Sequence, residues 1–129
     1  MGADSRSPGT RRQQAAAGLG RDGERIAAAH LERLGYRLLG TGFLARRGEI
    51  DLVCTRGGRL VMVEVKTRSS DRFGAPLEAV GSRKRRALAA AAAEYRVLAG
   101  WRGPIEFAVV SILVGSDGAP RIELIEDPF

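Results

Sequence analysis

Gly48-Glu49-Ile50-Asp51-Leu52-Val53-Cys54-Thr55-Arg56-Gly57-Gly58-Arg59-Leu60-Val61-Met62-Val63-Glu64-Val65-Lys66-Thr67-Arg68 decides how this chain reads. Two β-rich runs flank Gly57-Gly58, a dipeptide that takes up the positive φ angles of a two-residue hairpin turn. Closing that turn predicts Arg56 opposite Arg59, and counting back sets Val53 opposite Met62, Asp51 opposite Glu64 and Glu49 opposite Lys66. Side chains alternate along a strand, so Glu49, Asp51, Glu64 and Lys66 are expected on one face. The other face carries Ile50, Leu52 and Cys54 against Val61, Val63 and Val65, a surface suited to burial.

Two carboxylates in register are unfavourable. Opposed residues hold their Cβ atoms about 4.5–5.5 Å apart, where like charges destabilise the pair. A divalent cation removes that repulsion, because Mg²⁺ takes one or two carboxylates together with water and phosphate oxygens. Lys66, two residues after Glu64, falls on the same face and within reach of the same substrate. Polar alternation of this kind also describes a solvated sheet face on which Lys66 offsets the acids, and the rest of the chain must decide.

With 129 residues the chain is long enough for one domain with a real core and too short for two. The net charge of +6 favours a polyanionic partner. Lys66 and Lys84 are the only lysines, so arginine supplies the imbalance, and arginine suits bidentate phosphate contacts. A GC-rich genome produces the same Arg-, Ala- and Gly-heavy usage. The single cysteine, Cys54, excludes a disulfide framework and a thiolate metal site. No apolar run reaches membrane-spanning length, no signal-peptide core opens the chain, and Arg6 stands where a myristoylation signal needs Ser or Thr. A cytoplasmic protein is the expectation.

Residues 1–17 lack apolar periodicity and read as a disordered basic tail, leaving 18–129 as a single domain. Leu19 to Leu34 has helical spacing, with Ala27, Leu31 and Leu34 as its apolar stripe, Ile26 and His30 at the edge, and Gly35 as terminator. Glu24 lies along that inward stripe. It either complements the helix dipole or adds an acid aimed at the hairpin, and no Ser or Thr precedes it to form a capping box. Tyr36 to Arg46 is the first strand, broken near Gly40–Gly42, and Ser69 to Pro76 is a loop long enough to lie near a substrate. Ser82 is an N-cap for a second helix reaching Leu98 or Ala99, with Leu88, Ala91 or Ala92, and Tyr95 facing inward and Lys84 extending that stripe. Its first turn, Arg83-Lys84-Arg85-Arg86, joins cations to free backbone N–H groups and reads as a phosphate site as well as a solvated cluster. Ile105–Val114 and Arg121–Ile125 are the last strands, with Trp101 covering the core edge. The order is α-β-β-β-α-β-β.

An acid on a first helix, then Asp and Glu-x-Lys across a hairpin, is the pattern of the PD-(D/E)xK nuclease superfamily, and here those residues are Glu24, Asp51, Glu64 and Lys66. More closely, the chain resembles the YraN family (UPF0102), small bacterial proteins predicted to be endonuclease-like. The resemblance rests on Gly20-Arg21-Asp22-Gly23-Glu24, Gly48-Glu49-Ile50-Asp51-Leu52-Val53, Val63-Glu64-Val65-Lys66-Thr67-Arg68, Phe73-Gly74 and Lys84, and runs from about Leu19 to Phe129. Two positions depart from it. Where the family usually has Arg-Phe-Asp-Val this chain has Glu106-Phe107-Ala108-Val109, so an acid is missing at 108 while Glu106 lies on the same strand face. The chain also ends Asp127-Pro128-Phe129 instead of Asn-Ala-Phe.

The resemblance implies an α/β, restriction-endonuclease-like fold, with a mixed central β-sheet flanked by helices. It implies hydrolysis of phosphodiester bonds in DNA, with branched or structured DNA as a candidate substrate and Mg²⁺ or Mn²⁺ held by Asp51 and Glu64. Lys66 would orient water or stabilise charge on the phosphate, Glu24 would act through a water or as a supporting partner, and Glu49 would be an outer support. Arg68, Lys84, Arg83 and Arg86 would hold the nucleic acid backbone, and a homodimer would suit a branched substrate. The alternatives are a non-catalytic nucleic-acid-binding module, which the missing acid at 108 favours, and a protein-interaction domain with a merely solvated acidic face.

Overall fold

The computed structural model describes residues 11–69, 81–115 and 119–128, with side chains described over 22–68, 81–115 and 119–128. The elements run α1 (Arg11–Arg33), β1 (Arg37–Leu44), β2 (Glu49–Arg56), β3 (Arg59–Ser69), α2 (Ser82–Ala99), β4 (Ile105–Val114) and β5 (Pro120–Glu126). The strands form one sheet in the order β1-β2-β3-β4-β5. Neighbours are antiparallel except β3 and β4, which are parallel and therefore need a crossover; α2 lies in that connection. The fold is α/β with a mixed sheet and the expected element order.

Gly57 and Gly58 both take positive φ, 60° and 77°, and Arg56 pairs with Arg59, so the hairpin turn forms where the dipeptide predicts it. Along β3 the side chains alternate between two cores. Val61 and Val63 join Leu52, Cys54, Ala27 and Leu31 beneath α1, whereas Leu60 and Met62 join Val53, Ala91 and Ala92 beneath α2. Both faces of the hairpin are therefore buried over most of its length. The face expected to carry Glu49, Asp51, Glu64 and Lys66 is polar only at the end away from the turn, where Val53 and Met62 give way to the acids. Ile50 also departs from expectation: it packs in the α2 core with Phe43, its partner on β1, and not beside Leu52.

Three boundaries differ from the sequence reading. Helix α1 begins at Arg11, so 11–17, read as tail, form its opening turns; Gln and Ala there are good helix formers that need no apolar stripe. Residues 1–10 lie outside the described residues, as does most of the predicted 69–76 loop. Leu34 sits past the helix end and is 44% exposed, so it does not complete the Ala27–Leu31 stripe. Ser82 is the first helical residue and not the cap: Gly81 stands before it in extended conformation, with no side-chain cap bond. At the other end of α2, Gly100 at φ 66° lets the backbone N–H groups of Gly100 and Trp101 reach the carbonyls of Val97 and Arg96. The expected break in β1 is a register shift between Leu38 and Gly40. Trp101 packs on the α2 core and donates from Nε1 to the Pro104 carbonyl at 3.0 Å.

Candidate metal and phosphate site

Strands β2 and β3 pair from Arg56–Arg59 as far as Leu52–Val63, and there the ladder ends. The aligned pairs expected next, Asp51 with Glu64 and Glu49 with Lys66, do not form. The Val65 N–H donates instead to Asp51 Oδ2 at 2.8 Å, so a side chain takes a donor that a ladder would have used. Beyond this point Glu49 and Ile50 pair with β1, and Glu64 to Ser69 pair with β4. The ladder thus ends where the acids lie, and the charge of Glu64 is still felt at Asp51.

Glu64 is only 5% exposed. Its Oε2 faces two ammonium groups, Lys84 Nζ at 3.2 Å and Lys66 Nζ at 3.5 Å, whereas Oε1 is buried with no hydrogen-bond partner. An unpartnered buried carboxylate oxygen is costly unless something positive or hydrogen-bearing fills the place beside it. Burial, and then the charge of Glu64, pushes the Asp51 carboxyl up to about 7, against the opposing effect of the Val65 N–H. Glu24 is also raised, by partial burial and then by the charges of Glu49 and Glu64. The four acids expected to act together are therefore close enough to sense one another.

Two glycines let the helices deliver their residues. Gly23 is buried against β3, where a Cβ would overlap Thr67 Oγ1, so α1 lies directly on the strand and brings Glu24 to the acids. A Cβ on Gly48 would meet Ala87 Cβ at 3.3 Å and its carbonyl oxygen at 3.4 Å; this close approach holds α2 against the start of β2. Ala87 is one turn after Lys84. Arg46 N–H ties the β1–β2 connection to the same helix through Glu94 Oε1 at 3.2 Å.

Among the described residues no three His, Cys, Asp or Glu side chains form a ready cage for a metal. Asp51 and Glu64, with Oε1 of Glu64 unpartnered, fit a cation that keeps water and takes phosphate oxygens to complete its shell.

The family described as "Uncharacterised protein family UPF0102" matches residues 23–114, well over half of the chain. This chain belongs to the UPF0102 family. A UPF0102 protein of Anaeromyxobacter dehalogenans is 46% identical over 106 residues, covering 81% of this chain and 78% of the relative. One from Clavibacter michiganensis is 45% identical over 115 residues, covering 83% and 92%, and one from Symbiobacterium thermophilum is 44% identical over 112, covering 86% and 95%. The UPF0102 match opens at Gly23 and closes with β4, so it encloses every member of the cluster.

Of the residues singled out in the sequence, this UPF0102 chain brings together Glu24, Glu49, Asp51, Glu64, Lys66 and Lys84. Lys84, expected among the arginines that hold a nucleic acid backbone, has its ammonium on Glu64 instead. Its position on the stripe of Leu88 and Ala91 was the signal for this. Arg83 and Arg86 are exposed on the first turn of α2, and Arg68 is half-buried farther along β3. Ala108 is 3% exposed in the α1 core and pairs with Val63, so the missing acid does not stand among these carboxylates. Glu106 is no substitute for it: it is bound to Arg59 at 2.8 Å near the hairpin turn. With Arg59, Glu106 lines a cleft of about 500 Å³ that also includes Tyr36 and Arg56, whose guanidinium lies 5.1 Å from the Tyr36 ring centre. The sequence reading did not single out that cleft.

Proposed function

We propose that this protein is a metal-dependent nuclease that hydrolyses phosphodiester bonds in DNA, with a restriction-endonuclease-like site of the PD-(D/E)xK type. The observation that carries this reading is Glu64: a buried carboxylate with one oxygen held by two lysines and the other unpartnered, beside an Asp51 whose proton is held to about neutral pH. Asp51 and Glu64 would hold Mg²⁺ or Mn²⁺, which when bound supplies charge to polarise a phosphodiester and acidify water.

The chain's own groups do the rest. Lys66 stands on the Glu64 side of the site and stabilises charge developing on the phosphate or orients the attacking water. Glu24 and Glu49 tune Asp51 by their charge, and Glu24 would act through a water or as a supporting partner. Arg83 and Arg86 remain exposed beside Lys84 to hold a backbone without reading sequence, as the net charge of +6 favours.

The test is calorimetric titration of Mg²⁺ and Mn²⁺ into wild type and Glu64→Ala, followed by cleavage assays on branched, nicked and single-stranded DNA. Binding lost in the variant, with cleavage lost in folded Asp51→Ala and Lys66→Ala, supports the reading. Salt-sensitive DNA binding without metal binding or cleavage would instead establish a non-catalytic module.

A further inference from the structure

We propose that Lys84 is a displaceable internal counter-ion that couples cation binding at Glu64 to phosphodiester binding; this rests on the metal site proposed above. A buried ionised carboxylate needs a compensating charge, and Glu64 has two, both at the same oxygen. The two lysines differ in how they are mounted. Lys66 is on β3 itself, two residues from Glu64, and its side chain is 28% exposed. Lys84 comes from a different element, the first turn of α2, and is 43% exposed, so it has solvent to move into.

A divalent cation that takes up Glu64 repels an ammonium 3.2 Å from that carboxylate. Lys84 is the group free to leave. Where it goes is set by its surroundings: Arg83, Arg85 and Arg86 share its turn, and the helix start offers N–H groups to an anion. A released ammonium is therefore well placed to hold a phosphodiester oxygen. Cation binding frees Lys84 for the phosphodiester, and the phosphodiester removes the group that competes with the cation. By linkage each ligand must strengthen the other by the same factor. The resting protein would accordingly hold cations weakly until a substrate-like anion arrives.

The experiment is calorimetric titration of Mg²⁺ with and without dimethyl phosphate, the smallest phosphodiester, in wild type, Lys84→Met and Lys84→Arg. Wild type is expected to bind Mg²⁺ several-fold more tightly with the diester present, within the roughly 5–150-fold range usual for coupled sites. Lys84→Met should bind Mg²⁺ more tightly than wild type without the diester and show no gain from it, while Lys84→Arg should keep the coupling. Mg²⁺ binding in Lys84→Met no tighter than in wild type, or no effect of the diester on wild type, overturns the proposal while leaving the metal site standing. No Mg²⁺ binding by wild type or Lys84→Met in either condition overturns both readings. Absence of a diester effect in wild type overturns the proposal without any variant, whereas a gain is assigned to Lys84 only by its loss in Lys84→Met, or in Lys84→Gln where the Met variant does not fold.

Discussion

Asp51 accepts a backbone N–H that would ordinarily favour its ionised form, yet burial and the Glu64 charge win and push its carboxyl up to about 7. An unfolded Asp titrates near 4, so between about pH 4 and pH 7 the folded chain holds a proton that the unfolded chain has released. Metal-free protein should therefore lose stability as pH rises across that window, then level off. Urea midpoints at pH 5 and pH 7.5 measure this, and Asp51→Asn should flatten the slope; an unchanged slope in that variant would show that Asp51 is not its source. Glu64 sets a different expectation. Glu64→Ala removes the shared partner of two ammoniums and should cost on the order of 1–3 kcal/mol, with Glu64→Gln costing less because it retains hydrogen-bonding capacity. Thermal or urea denaturation separates the two, and makes Glu64→Gln the better control for activity.

At the scale of elements, helix placement hangs on small residues. Gly23→Ala would drive α1 off β3, because Thr67 is β-branched and has little freedom to turn away. The expected loss is about 1–3 kcal/mol, the usual size for overpacking. Thr67→Ala should recover much of it in the double variant, a coupling readable in a denaturation cycle; additive losses would place the strain elsewhere. Gly48 faces Ala87 with a smaller overlap, so Gly48→Ala should be milder. These glycines belong to the motifs that flag the site in the sequence, yet neither touches a substrate in this reading. Their part is to let α1 and α2 approach so that Glu24 and Lys84 arrive where the strands separate.

For the whole molecule, Cys54 offers a direct probe. It is 1% exposed on the α1 side of the sheet, and burial, then the charge of Glu32, pushes its thiol up to about 11. Labelling by a thiol reagent at pH 8 should be slow and should follow global unfolding; rapid labelling would mean that β2 opens locally. The basic surface makes a separate prediction tied to the nuclease reading. DNA affinity should fall steeply with salt, and replacing Arg83 and Arg86 together should weaken binding and reduce the log–log salt slope by about 2, one for each phosphate no longer neutralised.

How much of this was legible beforehand follows from the range of the forces involved. Local rules were enough for the Gly57-Gly58 turn, the hairpin register down to Leu52–Val63, and the element order, because turn chemistry and period-2 patterning act between near neighbours. The set Glu24, Asp51, Glu64 and Lys66 came from the resemblance to the PD-(D/E)xK pattern, since spacing alone left a solvated face equally open. The end of the ladder was not legible, since it depends on Asp51 taking the Val65 N–H, a competition between side chain and backbone invisible to pattern counting. Nor was the burial of both hairpin faces, which α1 and α2 decide by packing from opposite sides. Sequence alone singled out Glu24, Asp51, Glu64 and Lys66 as the candidate set. Only the tertiary structure decided that Lys84 meets Glu64 and that Ala108 lies in the core, because both outcomes turn on contacts between elements distant along the chain.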